Sequence, residues 1–175
     1  MLKLVKLSRE NYPLLVEMME EWTECREEII PAAIRKTDYR NYEVYRSSLE
    51  LSKEEADRSE GRLVEDSTFF CLDTNRNLFV GAVSIRHSLN QGLLWNGGHI
   101  GDGVRPSERG RGIGTQMVRL ALLECKRLNI SPVLMVCRKT NIPSARTIEK
   151  NGGVLENEVE KGGITWKRYW INTLP

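Results

Sequence analysis

Long apolar runs are missing from this 175-residue chain: no stretch approaches the ~20 consecutive apolar residues that a membrane-spanning helix needs. The opening stretch, Met1 to Asn11, is too short and too soon polar for a secretory signal. A strong charge of one sign is missing too. The formal balance of +2 is too small to argue for nucleic acid or a membrane surface. Cysteine is sparse: Cys25, Cys71, Cys125 and Cys137 stand far apart with no C-x-x-C pair. Neither a zinc site nor a redox pair is therefore signalled, no metal is expected, and reduced thiols in a cytoplasmic protein are. Repeats, low-complexity tracts and composition breaks are also lacking. One domain over residues 1–175 is expected, long enough for a substantial core.

What is present is a series of periodic segments. Leu2–Leu7 reads as a short strand. Ser8 reads as the N-cap of a helix in which Leu15, Met18, Met19 and Trp22 fall at i, i+3, i+4 and i+7. After Pro31, Asp38 is the expected cap of a second helix with Tyr42, Tyr45 and Leu49 on one face, and the charged stretch Lys53–Arg62 closes this helical portion. Thr68–Leu72 and Leu78–Ile85 read as strands joined by the turn residues Asp73–Asn77. A loop through Asn90, Gln91 and Gly92 leads to a third run, about His99–Val104. Ile113, Met117, Leu120, Ala121 and Leu128 then hold helical spacing, with Asn129 as a left-handed stop. Pro132–Cys137, "PVLMVC", is a continuous apolar run, expected as a strand buried on both faces and parallel to its predecessor. A short helix over Ile142–Lys150 starts at Asn141, and Val154–Glu160 with Ile164–Ile171 forms a closing hairpin. The order β-α-α-β-β-β-α-β-α-β-β predicts an α+β fold: a mixed, mostly antiparallel sheet with a central βαβ unit flanked by helices.

The most informative stretch is Val104–Thr115, "VRPSERGRGIGT", where a strand hands over to a helix. A helix start carries unpaired N–H groups and a partial positive charge. Glycines let backbone approach a ligand without a Cβ in the way. Together they predict an anion site, most often for phosphate, with Arg109 and Arg111 adding charge and Thr115 a hydroxyl. No lysine follows the glycines, so this is not a Walker A loop. Gly110, Gly112 and Gly114 are also one residue off a dinucleotide fingerprint. What fits is Arg-x-x-Gly-x-Gly, spelled Arg109-Gly110-Arg111-Gly112-Ile113-Gly114.

That hexamer resembles the acetyl-CoA-binding signature of the GCN5-related N-acetyltransferases, the GNAT superfamily. The entering strand "GDGV", the turn proline, the amphipathic helix, "PVLMVC" and "NIPSARTIEKNGG" follow in that family's order. The likeness is good over about residues 65 to 171, and rests on β-α-α order alone over residues 1 to 64. "RHSLN" with "GGHIG" further resembles a subgroup of predicted bacterial acetyltransferases.

The resemblance implies the GNAT fold and transfer of an acetyl group from acetyl-CoA to a primary amine of a small molecule or peptide. It implies that backbone from Arg109 through Gly110, Arg111, Gly112, Ile113 and Gly114 to Thr115 holds the pyrophosphate. The pantetheine arm would lie along Asp102-Gly103-Val104, in a slot left by this strand and "PVLMVC" splaying apart. A backbone N–H near Asp102 to Val104 would polarise the acetyl carbonyl. Asn141 would reach the cofactor arm, with Ser144 and Arg146 nearby. The tyrosine that in many relatives protonates the leaving thiolate falls at Ile148, and the usual Gly-Phe is replaced by Gly152-Gly153. The missing acid keeps open a second reading, a non-catalytic acyl-CoA-binding module.

For the base, His99 is the candidate because an imidazole titrates near neutral pH. On a period-2 strand it points away from the usual base positions, Gly98 and Ile100, unless a bulge intervenes. His87, Asp102 and Tyr169 are weaker alternatives. The acids Glu20, Glu21, Glu24, Glu27 and Glu28 could steer a cationic amine, although a charge run is more often a solvated helix face. Arg105, Arg119, Lys126 and Arg127 lack interleaved aromatics and read as helix surface plus CoA phosphate contacts, not a nucleic-acid patch. Trp95 and Trp166 could contact substrate or lie in the core, with the core as the default for tryptophan near strands. The last hairpin offers an edge through which a homodimer could form.

Overall fold

A computed structural model describes residues 1–173, so the last two positions of the expected 1–175 domain lie outside the described residues. The elements are β1 (Leu2–Val5), α1 (Tyr12–Glu24), α2 (Tyr42–Ser48), β2 (Glu50–Leu51), α3 (Lys53–Arg58), β3 (Asp66–Asp73), β4 (Leu78–Arg86), α4 (Gln91–Asn96), β5 (Ile100–Val104), α5 (Ile113–Arg127), β6 (Val133–Arg138), α6 (Ile142–Lys150), β7 (Val154–Lys161) and β8 (Ile164–Ile171). The sequence pattern placed the long elements. It missed β2 and α4, which are short and carry no apolar period.

Two helix starts differ from expectation. Asn11, not Ser8, precedes α1: its Oδ1 accepts the Ser8 N–H at 2.9 Å while its Nδ2 donates to the Lys6 carbonyl at 3.0 Å. Asn41, not Asp38, caps α2 by accepting the Val44 N–H at 3.2 Å, because Asp38 is taken up by Arg40. Asn129 does stop α5, with φ +56. Trp95 is 45% exposed on α4 rather than in the core. Trp166 is half-buried under the Arg138 guanidinium.

The strands form two antiparallel sheets, one in the order β1-β3-β4-β5 with β2 also on β3, the other β6-β8-β7. The expectation that β6 adds parallel to β5 is corrected: the two strands share no ladder and are the facing edges of different sheets. Apolar side chains of the first sheet alternate between its faces, as the strand period requires. Val83, Ile85 and Ile100 pack with Met117, Val118 and Ile148 under α5 and α6. Phe70, Phe79 and Ala82 pack with Leu15, Met18, Met19 and Trp22 of α1. Each buried Val, Leu, Ile, Phe or Met among these contributes about 1.5–3 kcal/mol of apolar burial.

Candidate active site

Among the described residues, hydrogen bonds join the two sheets at His99. His99, just before β5, donates its backbone N–H to the Leu134 carbonyl at 2.8 Å. Its ring Nδ1 accepts the Leu134 N–H at 2.9 Å. Beyond this apex the strands are unpaired, and the open edge of β5 is legible from its register. Arg105 donates its N–H to Val80 at 2.9 Å and Arg86 donates to His99 at 2.8 Å. With the pairs Gly103–Ala82 and Gly101–Ser84 between them, the backbone of Gly101 and Gly103 faces β4. The N–H groups of Asp102 and Val104 therefore face the slot. The Val104 carbonyl accepts Arg109 Nε at 3.1 Å.

At the wide end, Gly110 (φ +76) and Gly112 (φ +74) are both left-handed, a conformation that suits glycine. Gly112 starts α5 with no side-chain cap, which leaves the N–H groups of Ile113, Gly114 and Thr115 without helical partners. A Cβ at Gly110 or Gly112 would meet nothing within 4 Å, so both positions border open space. Gly114 packs close by: its Cβ position is 3.5 Å from Val104 and 3.7 Å from Thr147, ordinary contact distances.

Neighbouring charges hold this corner from below. The buried Arg105 guanidinium bonds Glu17 at 2.9 Å and also Glu21, whose second oxygen accepts the Ser107 N–H at 2.8 Å. Glu108 accepts both Nη atoms of Arg76 at 2.8 Å. Arg109 pairs with Glu27, and Glu28 with Arg35. Arg105 is therefore an internal anchor, not a phosphate contact. Glu21, Glu27 and Glu28 pair with arginines, while Glu20 and Glu24 are exposed, as a solvated helix face would have them.

Other residues singled out by sequence fall as follows. Asn141 caps α6 at the far end of β6, its Oδ1 accepting the Ser144 N–H at 3.2 Å. Ser144 stands beside the Cys137 thiol, which burial pushes up. Ile148 is 1% exposed in the core, and a Cβ at Gly153 would lie 2.5 Å from it, so the isoleucine and the second glycine fit one another. The geometry counts against His99 as a base. Its Nδ1 lone pair is committed to Leu134, Nε2 therefore carries the proton, and burial together with Arg86 lowers its pKa to about 4. His87 bridges Ser67 at 3.0 Å and Glu65 at 3.3 Å, away from the slot. Tyr169 donates to Glu149 at 3.1 Å and is pushed up to about 12, chiefly by burial. Asp102 is different. Its side chain alternates to the same face as Ile100, lies near Cys137 across the slot, and makes no hydrogen bond among the described residues; burial pushes it up to about 6. Sequence reasoning gave Arg86 no role, although it opens the stretch "RHSLN" at the end of an apolar strand.

An open strand edge, a splayed partner and a glycine-lined helix start together describe an acyltransferase. The family model for the acetyltransferase (GNAT) domain matches residues 2–154, and the chain belongs to that family. Similar solved structures include an acetyltransferase from Salmonella typhimurium that modifies the N-terminal serine of a ribosomal protein (14% identity, TM-score 0.62, 98% of this chain and 94% of that one). Others are mutant forms of the spermidine/spermine N-acetyltransferase from Vibrio cholerae (13%, 0.60, 99% and 95%) and a GNAT-family acetyltransferase from Bordetella pertussis (16%, 0.62, 97% and 95%). At these identities the likeness is one of fold. No curated protein matches the chain significantly.

Proposed function

We propose that this acetyltransferase uses acetyl-CoA to acetylate a primary amine, with the donor lodged between β5 and β6. The observation that carries the reading is the combination of unpaired N–H groups along that slot: Asp102 and Val104 on the strand edge, then Ile113, Gly114 and Thr115 at the helix start. The first pair suits an amide-bearing arm laid beside β5, and one of its donors suits an acetyl carbonyl gaining negative charge. The second set suits a pyrophosphate, with Gly110 and Gly112 leaving room and Arg111 adding charge. Asn141 and Ser144 border the arm from α6.

Acetyl transfer to an amine moves one proton from nitrogen to the departing sulfur. In this reading water in the slot takes the proton from the attacking amine, and Asp102, a carboxyl near 6, gives one to the departing thiolate and regains it from that water. The buried Ile148 leaves that second step without the tyrosine of many relatives, and Asp102 faces the slot from the same side. His99 holds the apex closed so that the strands diverge from a fixed point. The same reading keeps residues 1–175 as one cytoplasmic domain, with the exposed edge strand β7 available to a second copy.

Melting the protein with and without ligand tests the donor. Acetyl-CoA at millimolar concentration raises Tm by mass action, and ATP or NAD does not. No shift with acetyl-CoA and a clear one with ATP or NAD would reject the reading. If acetyl-CoA binds but no amine releases CoA thiol, the chain is the non-catalytic acyl-CoA-binding module.

A further inference from the structure

On the opposite face of β5 from Asp102 lies a cavity of about 570 Å³ whose lining includes Lys36, Arg62, Asp66, Arg86, Leu93 and Gly97. That volume is in the range of small-molecule sites. It adjoins the apex. Arg86 Nη1 donates to the Gly97 and Gly98 carbonyls at 3.1 and 3.2 Å, and its backbone N–H donates to His99. The Cβ position of Gly101 is 3.4 Å from Arg86 Nη2 and 3.4 Å from Pro31, so guanidinium and loop stand over the N-terminal half of β5 together.

The charge there is out of balance. Three cations meet one acid. Arg86 forms no salt bridge among the described residues, and burial lowers its pKa. Asp66, its cross-strand partner, already accepts the Leu51 N–H at 3.0 Å, and burial pushes that carboxyl up. A buried guanidinium bonded only to carbonyls is costly, and an anionic ligand offsets that cost through charge-assisted, planar hydrogen bonds. A polyamine would instead bring cations against cations.

We propose that this cavity receives the acceptor, and that the acceptor is an amine bearing a carboxylate, of amino-acid to dipeptide size, whose carboxylate pairs with Arg86 inside a rim formed by Lys36 and Arg62. The proposal rests on the acetyl-transfer reading above. Carboxylate bound at Arg86 leaves the amine end directed to the apex, where the open edge of β5 begins.

The test offers α-amino acids and dipeptides, each as free acid and as carboxamide, with spermidine alongside, and follows CoA thiol release by the full-length protein. The free acid is expected to react about tenfold faster than its amide, mainly through KM, and spermidine poorly. Arg86→Gln is expected to remove the preference while acetyl-CoA affinity, read by calorimetry, is unchanged. Lys36→Gln with Arg62→Gln, both exposed positions, is expected to shrink the preference without a folding defect. Amides or spermidine reacting as well as acids, or a preference untouched by the rim variants, would overturn the proposal. So would acetyl-CoA binding with no acid acetylated. Absence of acetyl-CoA binding is the separate failure of the functional reading.

Discussion

His99 and Leu134 hold each other by two reciprocal hydrogen bonds, N–H to carbonyl at 2.8 Å and N–H to imidazole Nδ1 at 2.9 Å. This is where the two sheets meet. An Asn side chain can offer an acceptor at the same place, and Ala cannot. His99→Ala is expected to leave the buried Leu134 N–H unsatisfied and to lower stability by about 1–3 kcal/mol, with His99→Asn losing less. Acetylation by His99→Asn is expected to stay near the parent rate. Thermal melts and initial rates decide it: an Asn variant as dead as the Ala variant but normally stable would restore His99 to the chemistry.

The same histidine makes stability pH-dependent. Its folded pKa of about 4 is below the unfolded 6.5. The contribution is therefore complete above pH 6.5 and lost as pH falls toward 4, by at most about 3 kcal/mol. Denaturant titrations across that window should show this slope in the parent and not in His99→Asn.

Asp102 has the opposite sign. Its folded pKa, about 6 against 3.8, means that the ionised form is disfavoured in the fold. Stability falls as pH rises from 3.8 to 6. Asp102→Asn is thus expected to be more stable than the parent at pH 7.5 by on the order of 1–3 kcal/mol, with the gap closing below pH 4. Its turnover is expected to drop by about 10²-fold or more and to lose any limb near pH 6. Unaltered turnover would remove Asp102 from the proton path.

Gly112 separates folding from ligand binding. A side chain there meets open space but sits at φ +74, costing about 1–2 kcal/mol in strain. Gly112→Val is expected to melt modestly earlier yet lose acetyl-CoA affinity by about 10²-fold, since the new atoms occupy the space proposed for the phosphates. Calorimetry showing unchanged affinity would put the phosphates elsewhere.

Much of the proposed donor site was written locally. Gly110, Gly112 and the helix period after them lie within a few residues, so backbone geometry and orphan N–H groups followed from sequence. What was illegible depends on distant partners. His99 reads as a base until Leu134, 35 positions away, occupies its lone pair. Glu21 of α1 reads as part of a solvated face until Arg105 and Ser107 fold against it. "PVLMVC" reads as a parallel addition because a buried apolar run does not say which edge it joins; pairing with β8 took it into another sheet. Arg86 stood in "RHSLN" without a role, because its lack of a salt bridge among the described residues is visible only once β3, β4 and α4 surround it.

Amide hydrogen exchange with and without saturating acetyl-CoA addresses the central claim most directly. The account predicts new protection at the Asp102 and Val104 amides and across residues 110–115, with β7 unchanged. Bound acetyl-CoA that leaves those amides exchanging as before, or protects a different edge, would contradict a donor site between β5 and β6.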